Sequence, residues 1–104
     1  MDKKEFYKYY LPALNKALAS DERKNEDFFV KGPEFYIQVS EDKLKEIDIY
    51  LGQTAGKDKF LDNVAYYFDA KSHGFDEING VNIKKYKENL RNEILVFKEK
   101  YNKK

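Results

Sequence analysis

The apolar positions at the start of the chain recur with a helical period. Phe6, Tyr10, Leu14 and Leu18 follow one another every fourth residue, with Tyr7, Leu11 and Ala17 beside them. This spacing predicts an amphipathic helix from an N-cap at Asp2 to Ala19. Pro12 falls inside it. At about 100° per residue the proline lies opposite the apolar stripe, where water can satisfy the Lys8 carbonyl that it orphans. The stripe keeps its phase through Pro12, so the pattern predicts one kinked helix, with a break at Leu11 as the alternative.

The period then shortens to two. After a charged loop from Ser20 to Asp27 come the runs "DFFV", "EFYIQVS" and "KEIDIYL", which read as three strands. Phe35, Ile37 and Val39 share one face, and Ile47, Ile49 and Leu51 share another. The two faces coincide only when paired residue numbers sum to an even value. That excludes a two-residue turn at Glu41-Asp42. It leaves a three-residue loop (Ile37 opposite Ile47) or a five-residue loop (Ile37 opposite Ile49), while "KGP" turns the chain between the first two strands.

Helical spacing returns over Lys57 to Ser72, where Phe60, Leu61, Val64, Ala65, Tyr67 and Phe68 form a broad apolar face. It returns again from Ile83 to Tyr101, with the stripe Ile83, Tyr86, Leu90, Ile94, Phe97, Tyr101 and an N-cap at Asn82. The order is α-β-β-β-α-α. The expected fold class is α+β: an N-terminal helix, a three-stranded antiparallel meander, and two C-terminal helices packed on one sheet face.

Length and composition narrow the picture further. With 104 residues and no linker or internal repeat, the chain is expected to form a single domain over 1–104. A chain of this size buries roughly 65% of the surface that its unfolded form exposes. Its 8 Phe and 9 Tyr suit a packed core and not disorder. The absence of cysteine excludes disulfides, thiolate metal sites and cysteine nucleophiles. "MDKKEFYKYYLPALNK" lacks the apolar core of a signal peptide, and no apolar run approaches the ~20 residues of a membrane span. A cytoplasmic protein with no membrane partner is the expectation.

The net charge of +1 conceals an uneven distribution. Residues 21–80 carry eight basic and fourteen acidic side chains, whereas residues 81–104 carry eight basic and three acidic. The body is acidic and the last helix basic, which is evidence about partners and not about fold.

Candidate chemistry is sparse. The stretch "DAKSHGFDEING", residues 69–80, contains the one histidine of the chain. A metal reading would use Asp69, His73, Asp76 and Glu77, but zinc normally wants a further nitrogen or sulfur ligand. Aligned as a calcium loop, the stretch puts Phe75 and Tyr86 where carboxylates are required. No serine or threonine is arranged with His73 as a nucleophile. The stretch is better explained as punctuation: Gly74 as the C′ residue of the helix, Phe75 and Ala70 as the C″–C3 pair of a Schellman motif, and Asn79-Gly80 as a turn. No catalytic residue, metal site or cofactor is expected. Phosphate-loop, dinucleotide, nucleophile-elbow and zincin patterns are absent. The acids do not form a nuclease motif either, because Glu46-Ile47-Asp48 lacks a following lysine and Glu41-Asp42-Lys43 falls in the expected turn.

Two acidic, tyrosine-bearing surfaces remain. The exposed face of the expected hairpin would carry Glu34, Tyr36, Glu46, Asp48 and Tyr50. The exposed face of the second helix carries Tyr66 with Asp62 and Asp69 at helical neighbours. Tyrosine is enriched at interface hot spots, and surrounding carboxylates would complement a basic partner while repelling phosphates. The expected function is therefore a non-enzymatic protein-binding module. An inhibitor or immunity-type protein that masks a basic toxin or nuclease would have this character. The alternative is a nucleic-acid-associated accessory protein acting through Lys84, Lys85, Lys87, Arg91, Lys98 and Lys100 on the last helix.

Overall fold

A computed structural model describes residues 1–21 and 32–102 of the chain. Asp2 Oδ1 accepts the Glu5 N–H at 2.8 Å and so caps helix α1 (Lys3–Asp21). The helix runs unbroken through Pro12, whose ring is exposed on the side away from the core. The opposite arc is buried: Phe6, Leu14 and Leu18 have 0% of their surface accessible. Such complete burial requires neighbours on several sides, and the segment after Gly32 and the C-terminal helix both pack against α1.

The three-stranded meander is not present. "DFFV" lies outside the described residues. Pro33 instead opens a single 3-10 turn, Pro33–Tyr36, because its fixed φ suits the first helical position and its missing N–H is not needed there. The Phe35 N–H donates to Gly32 O and the Ile37 N–H to Glu34 O, both at 3.2 Å. Beyond the turn the chain is extended, with Ile37 and Val39 half-buried and Gln38 exposed. The expected alternation therefore exists over Ile37 to Val39, but among the described residues no strand pairs with it.

"KEIDIYL" lies within helix α2 (Glu41–Thr54), which overturns the α+β meander and makes the choice of hairpin register moot. The physical reason lies just upstream. Ser40 is extended, and its Oγ accepts the Lys43 N–H at 3.3 Å, while Glu41 and Asp42 occupy the first turn, where the helix dipole favours negative charge. Lys43, Leu44, Ile47, Tyr50, Leu51 and Thr54 then form one inward stripe. Ile47 is fully buried, whereas Ile49, expected on the same face, is 59% exposed. Phe35, also expected in the core, is 62% exposed.

Helix α3 (Lys59–Ser72) starts two residues later than its apolar pattern suggested, because Asp58 caps it. Its far end closes as a Schellman motif: the Phe75 N–H donates to Ala70 O at 2.9 Å and the Gly74 N–H to Lys71 O at 3.1 Å. Gly74 has φ 74°, the left-handed conformation that this motif demands. The chain then forms a two-stranded antiparallel ribbon, β1 (Glu77–Ile78) and β2 (Val81–Asn82), with Ile78 paired to Val81. Asn79 and Gly80 between them both have positive φ, as a type I′ hairpin turn requires. Asn82 Oδ1 accepts the Lys84 N–H at 2.9 Å at the start of α4 (Ile83–Asn102), which packs against α1 and α3.

Aromatic rings bind these elements together. Phe6 is stacked on Tyr50 of α2 at 4.3 Å, and Tyr7 on Phe97 of α4 at 5.2 Å. The described residues thus form four α-helices, one 3-10 turn and one short ribbon.

Candidate functional site

The residues expected on an exposed sheet face are dispersed by the helical fold. Tyr50 points inward on α2 and stacks on Phe6, and Tyr36 packs half-buried against the core. Neither tyrosine is a solvent-facing anchor. Glu46 is engaged elsewhere: Lys43 Nζ stands 2.9 Å from its Oε2 and 2.8 Å from Glu5 Oε1. Hydrogen bonding and attraction from Lys43 hold the Glu46 carboxyl below its ordinary range. These three residues do not form the surface that a sheet would have given them.

Two of the other acids are brought together. Glu34 of the 3-10 turn and Asp62 in the first turn of α3 both line a pocket of about 310 Å³. Its apolar walls include Tyr10 from α1, Pro33, Leu51 from α2 and Phe68 from α3. Each acid is positioned by its local backbone. Pro33 sets the turn that carries Glu34. Asp62 Oδ1 accepts the Gly56 N–H at 3.1 Å, and so ties α3 to the loop that precedes it.

The electrostatics of this pocket favour an incoming cation. Partial burial and then the charge of Asp48 raise the Glu34 carboxyl above its ordinary range. Burial, with Glu34 and Asp58 adding to it, pushes the Tyr10 hydroxyl far above the ordinary tyrosine range, so Tyr10 is neutral. Negative charge is thus concentrated around an apolar floor. Asp48, expected beside Glu34 on a sheet, remains its electrostatic neighbour from an exposed position on α2.

On α3 the expected helical period is observed. Asp62, Tyr66 and Asp69 share the outer side of α3, with Tyr66 52% exposed. Asp69 is taken up locally: its backbone oxygen stands 2.8 Å from His73 Nδ1 and its Oδ1 3.5 Å away. The His73 ring also stacks on Phe75 at 5.5 Å. Among the described residues, no three of His, Asp and Glu are grouped as metal ligands. The pocket's apolar walls were not legible as part of a site, because Tyr10, Leu51 and Phe68 carry the same signal as any core residue.

No family model matches the chain, and neither the curated proteins nor the solved structures provide a match.

Proposed function

We propose that this domain is a non-enzymatic protein-binding module that captures a basic side chain of its partner in the pocket between the 3-10 turn and α3. One observation carries the reading: Glu34 and Asp62, distant in sequence, converge on one pocket with an apolar floor. Lysine and arginine have this dual character, an aliphatic stem that packs on apolar surface and a charged head. The stem would lie against Leu51 and Phe68, and the head would meet Glu34 and Asp62. A cation arriving beside Glu34 also offsets the repulsion from Asp48, so that binding gains from a tension already present in the free domain. Exposed Tyr66 on the neighbouring side of α3 offers a rigid amphipathic contact at the rim. An inhibitory or immunity-type role against a basic toxin or nuclease is consistent with this chemistry.

Affinity capture from host lysate, followed by titration of the captured protein, tests the reading. Glu34→Gln and Asp62→Asn should each weaken binding by at least about tenfold, a change of roughly 1.4 kcal/mol. Glu46→Gln, outside the pocket, should not. Equal affinity in all three variants, or a captured partner without a basic contact surface, overturns it.

A further inference from the structure

A second cavity lies on a different side of α3 and has the opposite charge. It is a cleft of about 450 Å³ between the end of α3 and the beginning of α4. Lys71 approaches from α3, while Lys84, Lys87 and Arg91 approach from α4. The three α4 residues are spaced i, i+3 and i+7, which places them along one side of the helix. Between the cations the cleft is lined by Tyr67 and Ile83, both almost wholly buried. Glu88 is the single acid in the lining, and its Oε2 stands 4.0 Å from Lys85 Nζ. The lining of the cleft thus carries four cationic side chains and one acid.

We propose that this cleft binds a phosphorylated small molecule, with the phosphates held by Lys84, Lys87, Arg91 and Lys71. Four cations converging from two helices suit a compact polyanion, and an arginine fork matches two phosphate oxygens at once. Ile83 and Lys84 belong to the first turn of α4, so the helix dipole adds to the same positive field. The volume falls in the range of small-molecule sites, about 300–1,000 Å³. The aliphatic stems of the lining lysines give the organic part of such a ligand an apolar surface.

Nucleic acid fits less well. A duplex needs an extended track of cations, yet Lys98 and Lys100 lie about 10–14 Å beyond Arg91 along α4 and outside the cleft. Glu93 and Glu99 interrupt the intervening helix. The sequence had marked the α4 cations, but it could not show that Lys71 joins three of them while Lys85, Lys98 and Lys100 stand apart.

The test is titration of the intact domain with inorganic pyrophosphate, with ATP and with a short DNA duplex at physiological salt. Binding is followed by calorimetry and by backbone amide shifts. The proposal expects saturable binding of pyrophosphate or ATP, with the largest shifts around Lys71 and over residues 83–91. Lys84→Gln combined with Arg91→Gln should weaken it at least tenfold, while Lys98→Gln combined with Lys100→Gln leaves it unchanged. Arg91→Lys, which keeps the charge but loses the two-point fork, should bind with intermediate affinity, and an unchanged thermal melt of the Lys84→Gln, Arg91→Gln variant shows that lost binding is not lost folding. Three outcomes overturn the proposal: no saturable binding of either phosphate compound, equal losses in both double variants, or binding of the duplex alone. Each leaves the acidic pocket reading untouched, because that pocket is tested by different residues and a different ligand.

Discussion

The hydroxyl of Tyr7 donates to Asp58 Oδ2 at 2.8 Å, while Oδ1 of the same carboxylate accepts the N–H groups of Phe60 and Leu61 at 3.0 and 3.3 Å. One side chain thus caps α3 and fastens it to α1. Tyr7 is only 1% exposed, so its hydroxyl has no ready substitute in water. Tyr7→Phe removes a single hydrogen bond and should cost about 1 kcal/mol. Asp58→Ala removes the cap and the hydrogen bond from the Tyr7 hydroxyl together, for a loss of roughly 2–4 kcal/mol. Urea denaturation of both variants checks the ranking. Equal losses would show that the cap adds nothing to the cross-link.

Helix α2 makes a contrast between two isoleucines separated by one residue. Ile47 is fully buried and Ile49 is 59% exposed. Ile47→Ala should cost about 2–4 kcal/mol. Ile49→Ala should be neutral or slightly stabilising, because alanine is the better helix former on an exposed face. A strand with both residues on one face would give two comparable losses. Thermal melts of the two variants therefore test helix against strand directly.

That contrast also shows where the sequence was legible. Helices α1, α3 and α4 bury broad stripes at helical spacing, and no competing period disturbs them. In α2 the inward set includes the half-buried Lys43 and Thr54, which no apolar pattern marks, and Ile49 supplies a false alternation with Ile47 and Leu51. Lys43 earns its inward position through Glu5 and Glu46, a long-range ion-pair arrangement that periodicity does not reveal. The local signal that could have decided the matter was Ser40 followed by Glu41 and Asp42, an N-cap with two acids in the first turn. The candidate site was partly legible for the same reason. The helical period of α3 places Tyr66 on its exposed side and the half-buried Asp62 one turn before it. Glu34 was singled out, but its meeting with Asp62 depends on packing that only the fold provides.

The end of α3 offers a backbone test free of packing effects. A Cβ added at Gly74 would meet no atom within 4 Å, yet the residue sits at φ 74°. Gly74→Ala should therefore lose about 1 kcal/mol from conformation alone. His73→Ala should cost less, because the ring is exposed and its contacts are local. Thermal denaturation separates them. A silent Gly74→Ala would mean that the α3 terminus rearranges without loss.

Glu34 links stability and binding with opposite signs. Its carboxyl is raised in the folded domain by partial burial and by Asp48, whereas in the unfolded chain it returns to the ordinary glutamate range. The folded state consequently holds the Glu34 proton more tightly. As pH rises from the ordinary value through the raised one, the folded state binds more protons than the unfolded state, and stability falls. Above the raised range the penalty is complete; below the ordinary carboxylate range it vanishes. Glu34→Gln should therefore stabilise the domain at pH 7, by no more than about 0.5 kcal/mol because solvent screens a half-exposed group. At about pH 3, below the reference carboxylate range, the variant and the wild type should unfold alike. The same substitution removes the charge that a basic partner would meet, so affinity should fall as stability rises. Paired melts at the two pH values, with binding titrations at pH 7, measure both effects. A variant that loses stability and affinity together would mark Glu34 as a structural residue and not as a docking one.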